Sequence, residues 1–558
     1  MAERLIYLPL GGAGEIGMNA YVYGYGQPGR ERLILVDLGV SFGDMDGSPG
    51  IDLIMPDLTW LEGNRDRLDA IFITHGHEDH LGALGHLYGR LNVPIYARQF
   101  TGALVRLKLE DQGHSPSVVN IVGPRPEVTQ VGPFTVQFVP VSHSIPESAA
   151  LIIDTPAGRV VHTGDFKLDG TPVVGDPFDP IAWHHIAEEG KGIKILACDS
   201  TNIFSPNPGR SEAMLANPIL DWVMAQKNMV VATTFASNIA RLKTLSEAAI
   251  AGGRKVCLLG RAMRKMVAVG LETGVLTDFP DTIGPEEAAS LPRHQVMLLA
   301  TGSQGERRAA SAQLSRGRYL GLQLKEGDSF LFSSKTIPGN ERSVGRIMNA
   351  LSEMGVEVYD ADDGLYHVSG HANRPDIEAL HELLKPQIVI PMHGEHLHLR
   401  EHVMLARAKG IAAEIATNGT VLDLTGDVPR IVDQVETGRL YLDGTVLIGA
   451  MDGVVRDRIR MALNGHALVS VIVDEYDNVL PDAWVELMGL PGRTRRGEDL
   501  GAHIEGELSE FLEGAAARVV RDDAKMDEAI RRITRQVAME EIGKKPEVTV
   551  IISRLMGE

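Results

Sequence analysis

The chain has 558 residues, which at ~100–200 residues per domain leaves room for about three domains, and its 44% hydrophobic content supplies a large buried core. Lys and Arg number 54 against 74 Asp and Glu, a net charge of −20, which excludes a broadly basic nucleic-acid coat or a polybasic membrane anchor and leaves only a local basic groove. No apolar run approaches the ~18–20 residues of a membrane span, and the N-terminus lacks the basic-then-apolar order of a secretory signal. Cys198 and Cys257, too few for a disulfide framework, read as buried thiols in a reducing cytoplasm.

Up to about residue 205, short β-branched runs at Leu33 to Val36, Ala70 to Thr74, Phe134 to Val141 and Arg159 to His162 predict strands, with helical spacing over Leu81 to Leu91. From 210 to 365, helical stretches such as Ser211 to Gln226 and Arg307 to Leu314 alternate with apolar runs at Met229 to Thr233, Lys255 to Gly260, Gln295 to Ala300 and Ser329 to Phe332, the pattern of βαβ units on a parallel sheet. After Ile388 to Pro391 and a helix through Ala408, strand-like pieces over 411–450 lead to a tail. There Leu468 to Val473 and Val548 to Ser553 read as strands, and Met526, Ala529, Ile530, Ile533 and Val537 mark one helical face.

The sharpest chemical signal is Thr74-His75-Gly76-His77-Glu78-Asp79-His80, which sets three imidazoles and a carboxylate at a strand end. These are donors for zinc or manganese, and ligands from one turn can face two ions about 3.5–4 Å apart. His143, Asp165 and His393 each follow a further apolar run. Singly, Asp165 reads as a cap or turn residue and the histidines as satisfied structural groups; as a set around one metal loop they read as ligands. Asp44, Asp46, Asp52 and Asp443 offer hard-cation chemistry as well, but on Gly-rich loops they read better as solvated charges.

In this order, Asp37, the His75 to His80 loop, His143, Asp165 and His393 resemble the motifs of the metallo-β-lactamase superfamily. The resemblance implies one divalent ion on His75, His77 and His143, a second on Asp79, His80 and His393, and Asp165 bridging both, with Asp37 orienting the metal loop by hydrogen bonds. Zinc and manganese both suit such a donor set. The long gap between Asp165 and His393 is flanked by Ala197-Cys198-Asp199-Ser200-Thr201 and Ser369-Gly370-His371-Ala372, which resemble motifs of the β-CASP nucleases.

Leu10 to Asn19, Gly50-Ile51-Asp52 with Pro56-Asp57, Ile337 to Glu341 and His367 to Ala372 narrow the resemblance to the bacterial ribonuclease J family over essentially the whole chain. The fold it implies is α/β: a metallo-β-lactamase αββα sandwich with an inserted β-CASP α/β domain and a small α/β C-terminal domain. The expected boundaries are 1–208 and 367–430 for the two parts of the sandwich, 209–366 for the insertion, 431–464 for a linker and 465–558 for a C-terminal domain that self-associates.

The family further implies 5′-to-3′ exonuclease activity on 5′-monophosphorylated single-stranded RNA plus endonuclease activity, in RNA maturation and mRNA decay in the cytoplasm. Hydroxide formed with the help of two divalent ions attacks phosphorus in line. Asp79 or Asp165 takes the nucleophile's proton, His371 protonates the departing 3′ oxygen, and Asp199 belongs to the same motif set. Phe235, Ala236 and Ser237 with His367, Val368, Ser369, Gly370 and His371 form the 5′-phosphate pocket; without the resemblance Phe235 reads as core packing and Ser237 as a helix cap.

The resemblance also brings a homodimer or higher homo-oligomer, a decay complex with a helicase or other nucleases, and no membrane. With so acidic a chain, RNA affinity is expected to weaken at raised salt. A DNA-processing β-CASP nuclease would share every ligand. A thioester or lactam hydrolase would leave the insertion without purpose, and a non-catalytic scaffold would leave the ligands without one.

Overall fold

The structure, a computed structural model, describes residues 2–360, 364–480 and 482–556. It divides into two compact units, one of Met1–Ser41 with Ile54–Arg439, the other of Phe42–Leu53 with Leu440–Glu558.

The first unit is built on two large sheets. One has eight strands, in the order Arg430–Gln434, Thr420–Asp423, Arg4–Gly11, Ala20–Gly26, Arg32–Val36, Leu68–Phe72, Ile95–Ala97 and Val119–Ile121. The other has seven, in the order Ala412–Ala413, Ile388–Met392, Ile193–Asp199, Gly158–His162, Ala149–Thr155, Phe134–Pro140 and Thr129–Val131. Their inner faces share one core in which Tyr7, Tyr21, Tyr23, Phe72, Phe134, Phe138 and Ile195 are buried. Alternation along each strand sends the next residue to the outer face, where helices cover it. On the second sheet these are Pro180–Glu188, Arg374–Leu384 and His396–Ala408, and Trp183, Ile186, Cys198, Leu380 and Val403 form the core beneath them. The layers run helix, sheet, sheet, helix.

Between Asp199 and Ile388 the chain builds a third sheet, all parallel, in the order Lys255–Leu259, Val296–Ala300, Val230–Thr233, Ser329–Phe332 and Glu357–Tyr359. The apolar runs that predicted these strands are buried on both faces, as parallel sheets require.

Helices depart from the predicted spans where local chemistry breaks the repeat. The helix expected over Leu81 to Leu91 is two, Glu78–Leu81 and Leu84–Leu91. At Gly82, between them, a side chain would meet the Glu78 carbonyl at 2.5 Å and Val40 at 2.8 Å. The stretch from Ser211 begins as a 3-10 turn, Glu212–Leu215, capped by the Ser211 hydroxyl, before the α-helix Ala216–Ala225.

In the second unit the strands Trp484–Met488, His466–Val473 and Glu547–Arg554 form a sheet with His466–Val473 in the centre. Helices Leu500–Glu513 and Asp523–Ile542 cover one face through Ile504, Leu508, Met526, Ile530 and Val537. The carboxylates of the Gly-rich loops serve their own backbone here. Asp44 accepts the amides of Asp46 and Gly47, Asp52 accepts that of Gly444, and Asp443 pairs with Arg458 at 2.6 Å. None of them belongs to a metal-holding group among the described residues. Both cysteines are buried and free, and no helix among the described residues is long and apolar enough to cross a membrane.

Candidate metal centre

Parallel pairing brings the site residues to one edge. Arg32–Val36 runs parallel to Leu68–Phe72, so Asp37 and the 74–80 loop emerge side by side. Gly158–His162, Ile193–Asp199 and Ile388–Met392 are parallel neighbours, so Asp165, Asp199 and His393 emerge together as well. His143 follows Phe134–Pro140, two strands over. The connection after Val36 lies directly against the metal loop: a Cβ at Gly39 would stand 1.6 Å from the Asp79 carbonyl oxygen, so only glycine fits there.

The hydrogen bonds around His75 and His143 fix which ring nitrogen is bare. Thr74 donates its amide and its hydroxyl to the two oxygens of Asp37, each at 2.8 Å. Its hydroxyl is therefore the acceptor for His75 Nδ1 at 3.0 Å, which leaves His75 Nε2 as a lone pair. His143 Nδ1 donates to the Gly370 carbonyl at 2.6 Å and leaves Nε2 bare in the same way. Both face His77 Nδ1, at 3.2 and 3.1 Å. Burial holds His75 and His143 well below the ordinary histidine range and His77 down to about 4, so the three rings are neutral, as metal-binding imidazoles must be. Such convergence suits a cation's coordination shell.

The second set is anchored from both sides. His80 donates Nδ1 to Asp37 at 2.7 Å and turns Nε2 toward Asp165 Oδ2, 3.2 Å away. His393, held with φ +51, donates Nδ1 to the Thr201 hydroxyl at 2.7 Å, which itself donates to Asp199 at 2.7 Å. His393 Nε2 then faces Asp79 Oδ2 at 3.1 Å. Asp165 Oδ2 also lies 3.7 Å from ring nitrogens of His75, His143 and His393, and its Oδ1 is buried with no hydrogen-bond partner. Asp165 thus sets Oδ2 among the nitrogens of both donor sets and keeps Oδ1 free of hydrogen bonds, which suits a carboxylate shared by two cations, so the residues fit two divalent ions. The ligand atoms of His75, His77, His143 and Asp165, and those of Asp79, His80, Asp165 and His393, each lie within 4.8 Å of one another.

His371 stands beside this cluster, its side chain 21% exposed, with Nδ1 2.8 Å from Asp199 Oδ2 and its ring against His143. Burial works to lower its pKa, but the Asp199 and Asp165 carboxylates outweigh that and hold it up to about 9. The Asp199 carboxylate on Nδ1 thus favours the charged form of the ring. A third grouping, Asp165, Asp199, His371 and His393, shares these atoms.

The predicted phosphate-pocket residues lie on two loops. Phe235, Ala236 and Ser237, all partly exposed, follow the strand Val230–Thr233, and Asn238, not Ser237, caps the helix Ile239–Ala251 by accepting the Arg241 amide at 2.9 Å. His367 to His371 form the other loop. Val368 is buried, and Ser369 Oγ accepts from Asn202 at 2.8 Å and from the His371 amide at 3.1 Å. At Gly370 a side chain would collide with Ser144 and His143. His367 is pushed down to about 3 by burial and by the positive charges of Arg241, Lys335, Lys167 and Arg210, a cationic neighbourhood for an anionic ligand.

Five supporting residues escaped the sequence reading. Thr74 and Thr201 orient imidazoles. Asn19 Nδ2 donates to the Asp79 carbonyl at 3.0 Å, while Tyr21 donates to Asn19 Oδ1 at 2.7 Å. Arg241, fully buried, pairs with Glu212 and donates to the Ser333 and Tyr366 carbonyls, tying the loops that flank the pocket. Thr74, Thr201 and Asn19 sat inside recognised motifs without a role of their own; Tyr21 and Arg241 have no local signature.

Comparison with known proteins gives the same picture by domain. Residues 14–204 match the model of the metallo-beta-lactamase superfamily, 227–351 that of the ribonuclease J beta-CASP domain, 365–416 that of the Zn-dependent metallo-hydrolase RNA specificity domain, and 453–555 that of the ribonuclease J C-terminal domain. The chain is 38% identical to ribonuclease J of Sinorhizobium meliloti over 99% of its own length and 98% of the relative's. It is 36% identical to that of Thermus thermophilus over 93% and 91% of the two chains, and 33% identical to that of Mycolicibacterium smegmatis over 97% and 95%. Among solved structures, a protein of unknown function from Enterococcus faecalis superposes with a TM-score of 0.50 at 18% identity, over 72% of this chain and 96% of that one, a likeness of fold.

Proposed function

Because the chain belongs to the ribonuclease J family of metal-dependent nucleases, we propose that it degrades 5′-monophosphorylated single-stranded RNA stepwise from the 5′ end and also cuts internally, serving RNA maturation and mRNA decay. What carries the reading to a reaction is Asp165, shared between two donor sets beside the His371–Asp199 pair. His75, His77 and His143 would hold one divalent ion, zinc or manganese, and Asp79, His80 and His393 the other, with Asp165 common to both. Bound there, the ions supply Lewis acidity at the phosphoryl oxygens and a nucleophile near neutral pH.

The protein's own groups do the rest. Water adds to phosphorus as the bond to the 3′ oxygen breaks; Asp79 or Asp165 accepts the water's proton, and His371 gives its Nε2 proton to the departing oxygen. Asp199, on His371 Nδ1, keeps that ring charged and aimed. Phe235, Ala236, Ser237 and the 367–371 loop receive the 5′ phosphate, the Phe235 ring offering a base a stacking surface worth ~1–3 kcal/mol. A triphosphate is too bulky and too charged for such a pocket.

In this reading residues 209–366 lie over the RNA cleft, 1–208 with 367–430 carry the ions, and 465–558, reached through 431–464, join copies of the chain. Two free, buried thiols suit a reducing cytoplasm, and a decay complex with a helicase or other nucleases is the setting the family suggests.

The test is a time course on single-stranded RNA labelled at either end, with a 5′ monophosphate or triphosphate, beside matched DNA, in zinc, manganese or chelator. Mononucleotides should leave the monophosphorylated 5′ end, and chelator or a triphosphate should stop them. Cleavage of DNA with RNA spared would replace this reading by a DNA-processing one, and inertness with every metal would favour a scaffold.

A further inference from the structure

We propose that Cys198, His381 and His402 form a third metal site, a thiolate and imidazole site for a zinc-class ion, behind the second sheet and separate from the centre described above. The three come from three elements: Cys198 from the strand Ile193–Asp199, His381 from the helix Arg374–Leu384 and His402 from the helix His396–Ala408. Side-chain alternation puts Cys198 on the opposite face of its strand from Asp199, so it points into the apolar layer under the helices, with Leu380 and Val403. Cys198 and His402 are 0% exposed and His381 2%, and one ligand atom from each lies within 4.8 Å of the others.

Hydrogen bonding again fixes the tautomer. Ser200 Oγ donates to the Cys198 carbonyl at 3.3 Å, so toward His402 Nδ1, 2.9 Å away, it accepts. His402 Nε2 is therefore a lone pair, and it lies 3.2 Å from His381 Nε2, close enough for the two to share one ring hydrogen or one cation, while the other nitrogen of the buried His381 ring has no partner. That separation matches the 3.2 and 3.1 Å between the converging nitrogens of His75, His77 and His143. Imidazoles with a bare nitrogen beside a thiol, inside an apolar layer, are poor packing and a good coordination shell.

On binding, the Cys198 Sγ–H bond breaks, its proton leaves to solvent, and a sulfur–metal bond forms; the imidazoles bind through lone pairs and nothing is oxidised. Three protein donors leave one position of a tetrahedral ion to a water molecule. The ion would staple two helices to the strand that carries Asp199 and Ser200.

The thiolate makes the site separately readable, because the imidazole and carboxylate donors of the catalytic centre give cobalt no sulfur charge-transfer absorption. The full chain is produced in cells grown on cobalt in place of zinc, so that metal enters as the protein folds, and its near-ultraviolet spectrum and metal content are measured. We expect a sulfur-to-cobalt band and a third equivalent of metal, both lost in Cys198→Ser, and the band kept in Cys257→Ser and in His77→Ala. A wild-type protein without the band, or a band that survives Cys198→Ser, overturns the site. If Cys198→Ser does not fold, Cys257→Ser decides alone, since Cys198 is then the only thiol and a missing band is fatal.

Discussion

His371 and Asp165 sit 3.9 Å apart yet do different work, and the difference is measurable. Asp165 is buried, with one oxygen facing imidazole nitrogens and the other without a hydrogen bond, whereas His371 is partly exposed and its Nδ1 is committed to Asp199. Replacing His371 with Ala should slow phosphodiester cleavage by about 10²–10⁴-fold, the usual share of a general acid, with bound metal unchanged. Metal analysis beside a single-turnover rate checks this, and loss of metal with activity would merge the two roles. Thr201 tests orientation. Thr201→Val keeps the volume but strips the hydroxyl from His393 Nδ1 and Asp199, so metal affinity should drop about 10–100-fold, as removal of a ligand's orienting partner typically does. Competition with a chelator reads the affinity, and excess metal should restore much of the rate.

These residues also mark how far the sequence could be read. His75, His77, Asp79 and His80 fall within seven consecutive positions, so their chemistry was concentrated enough to see. Asp165 and His393 were visible because each follows a strand that parallel pairing delivers to one edge, and His143 because it follows a further strand of the same sheet, paired antiparallel with its neighbours. Thr74, Asn19 and Arg241 were not, since a threonine, an asparagine and an arginine become functional only through partners brought near by the fold.

At the scale of elements, four of the five strands of the parallel sheet were legible because buried parallel strands are continuous apolar runs, and their ends shift by at most one residue from the predicted ones, whereas the edge strand Glu357–Tyr359, without a fully buried residue, was missed. Helix ends were less legible. The breaks at Gly82 and at Glu212–Leu215 answer to tertiary contact, Val40 in one case and the buried Glu212–Arg241 pair in the other. That pair joins the 3-10 turn to the helix Ile239–Ala251, while Arg241 also holds the backbone at Ser333 and Tyr366. Arg241→Met would strand a buried carboxylate and should cost ~3–5 kcal/mol. The expected signature is a lowered urea midpoint together with weaker discrimination of 5′-monophosphate from 5′-triphosphate RNA. Adding Glu212→Leu should recover much of the stability but not the discrimination, because the loops at Ser333 and Tyr366 stay untied. A single variant as stable as the wild type would mean that the pair is not buried in solution.

For the whole molecule, the open question is what covers the sheet of the C-terminal unit. Helices shield one face; on the other, Trp484 and Ile551 flank Ser470 across three strands, 51% and 45% exposed, with Met488 and Ile472 beside them. Apolar residues clustered on one sheet face are costly in water and mark an interface when they are contiguous. A second copy of the chain supplies the same surface, and a two-fold contact needs only one patch that complements itself. A stable interface of that kind buries on the order of 1,200–2,000 Å² in total, so charge at its centre should be decisive. Trp484→Asp combined with Ile551→Lys should leave the helix-covered core and the far-ultraviolet dichroism unchanged, and should shift the sedimenting species from an oligomer to a monomer at the same concentration. Cleavage of short RNA should persist in the monomer, because every proposed ligand and pocket residue lies in the other unit. If the double variant sediments with the wild type, self-association uses a different surface, and this face is left for a different partner.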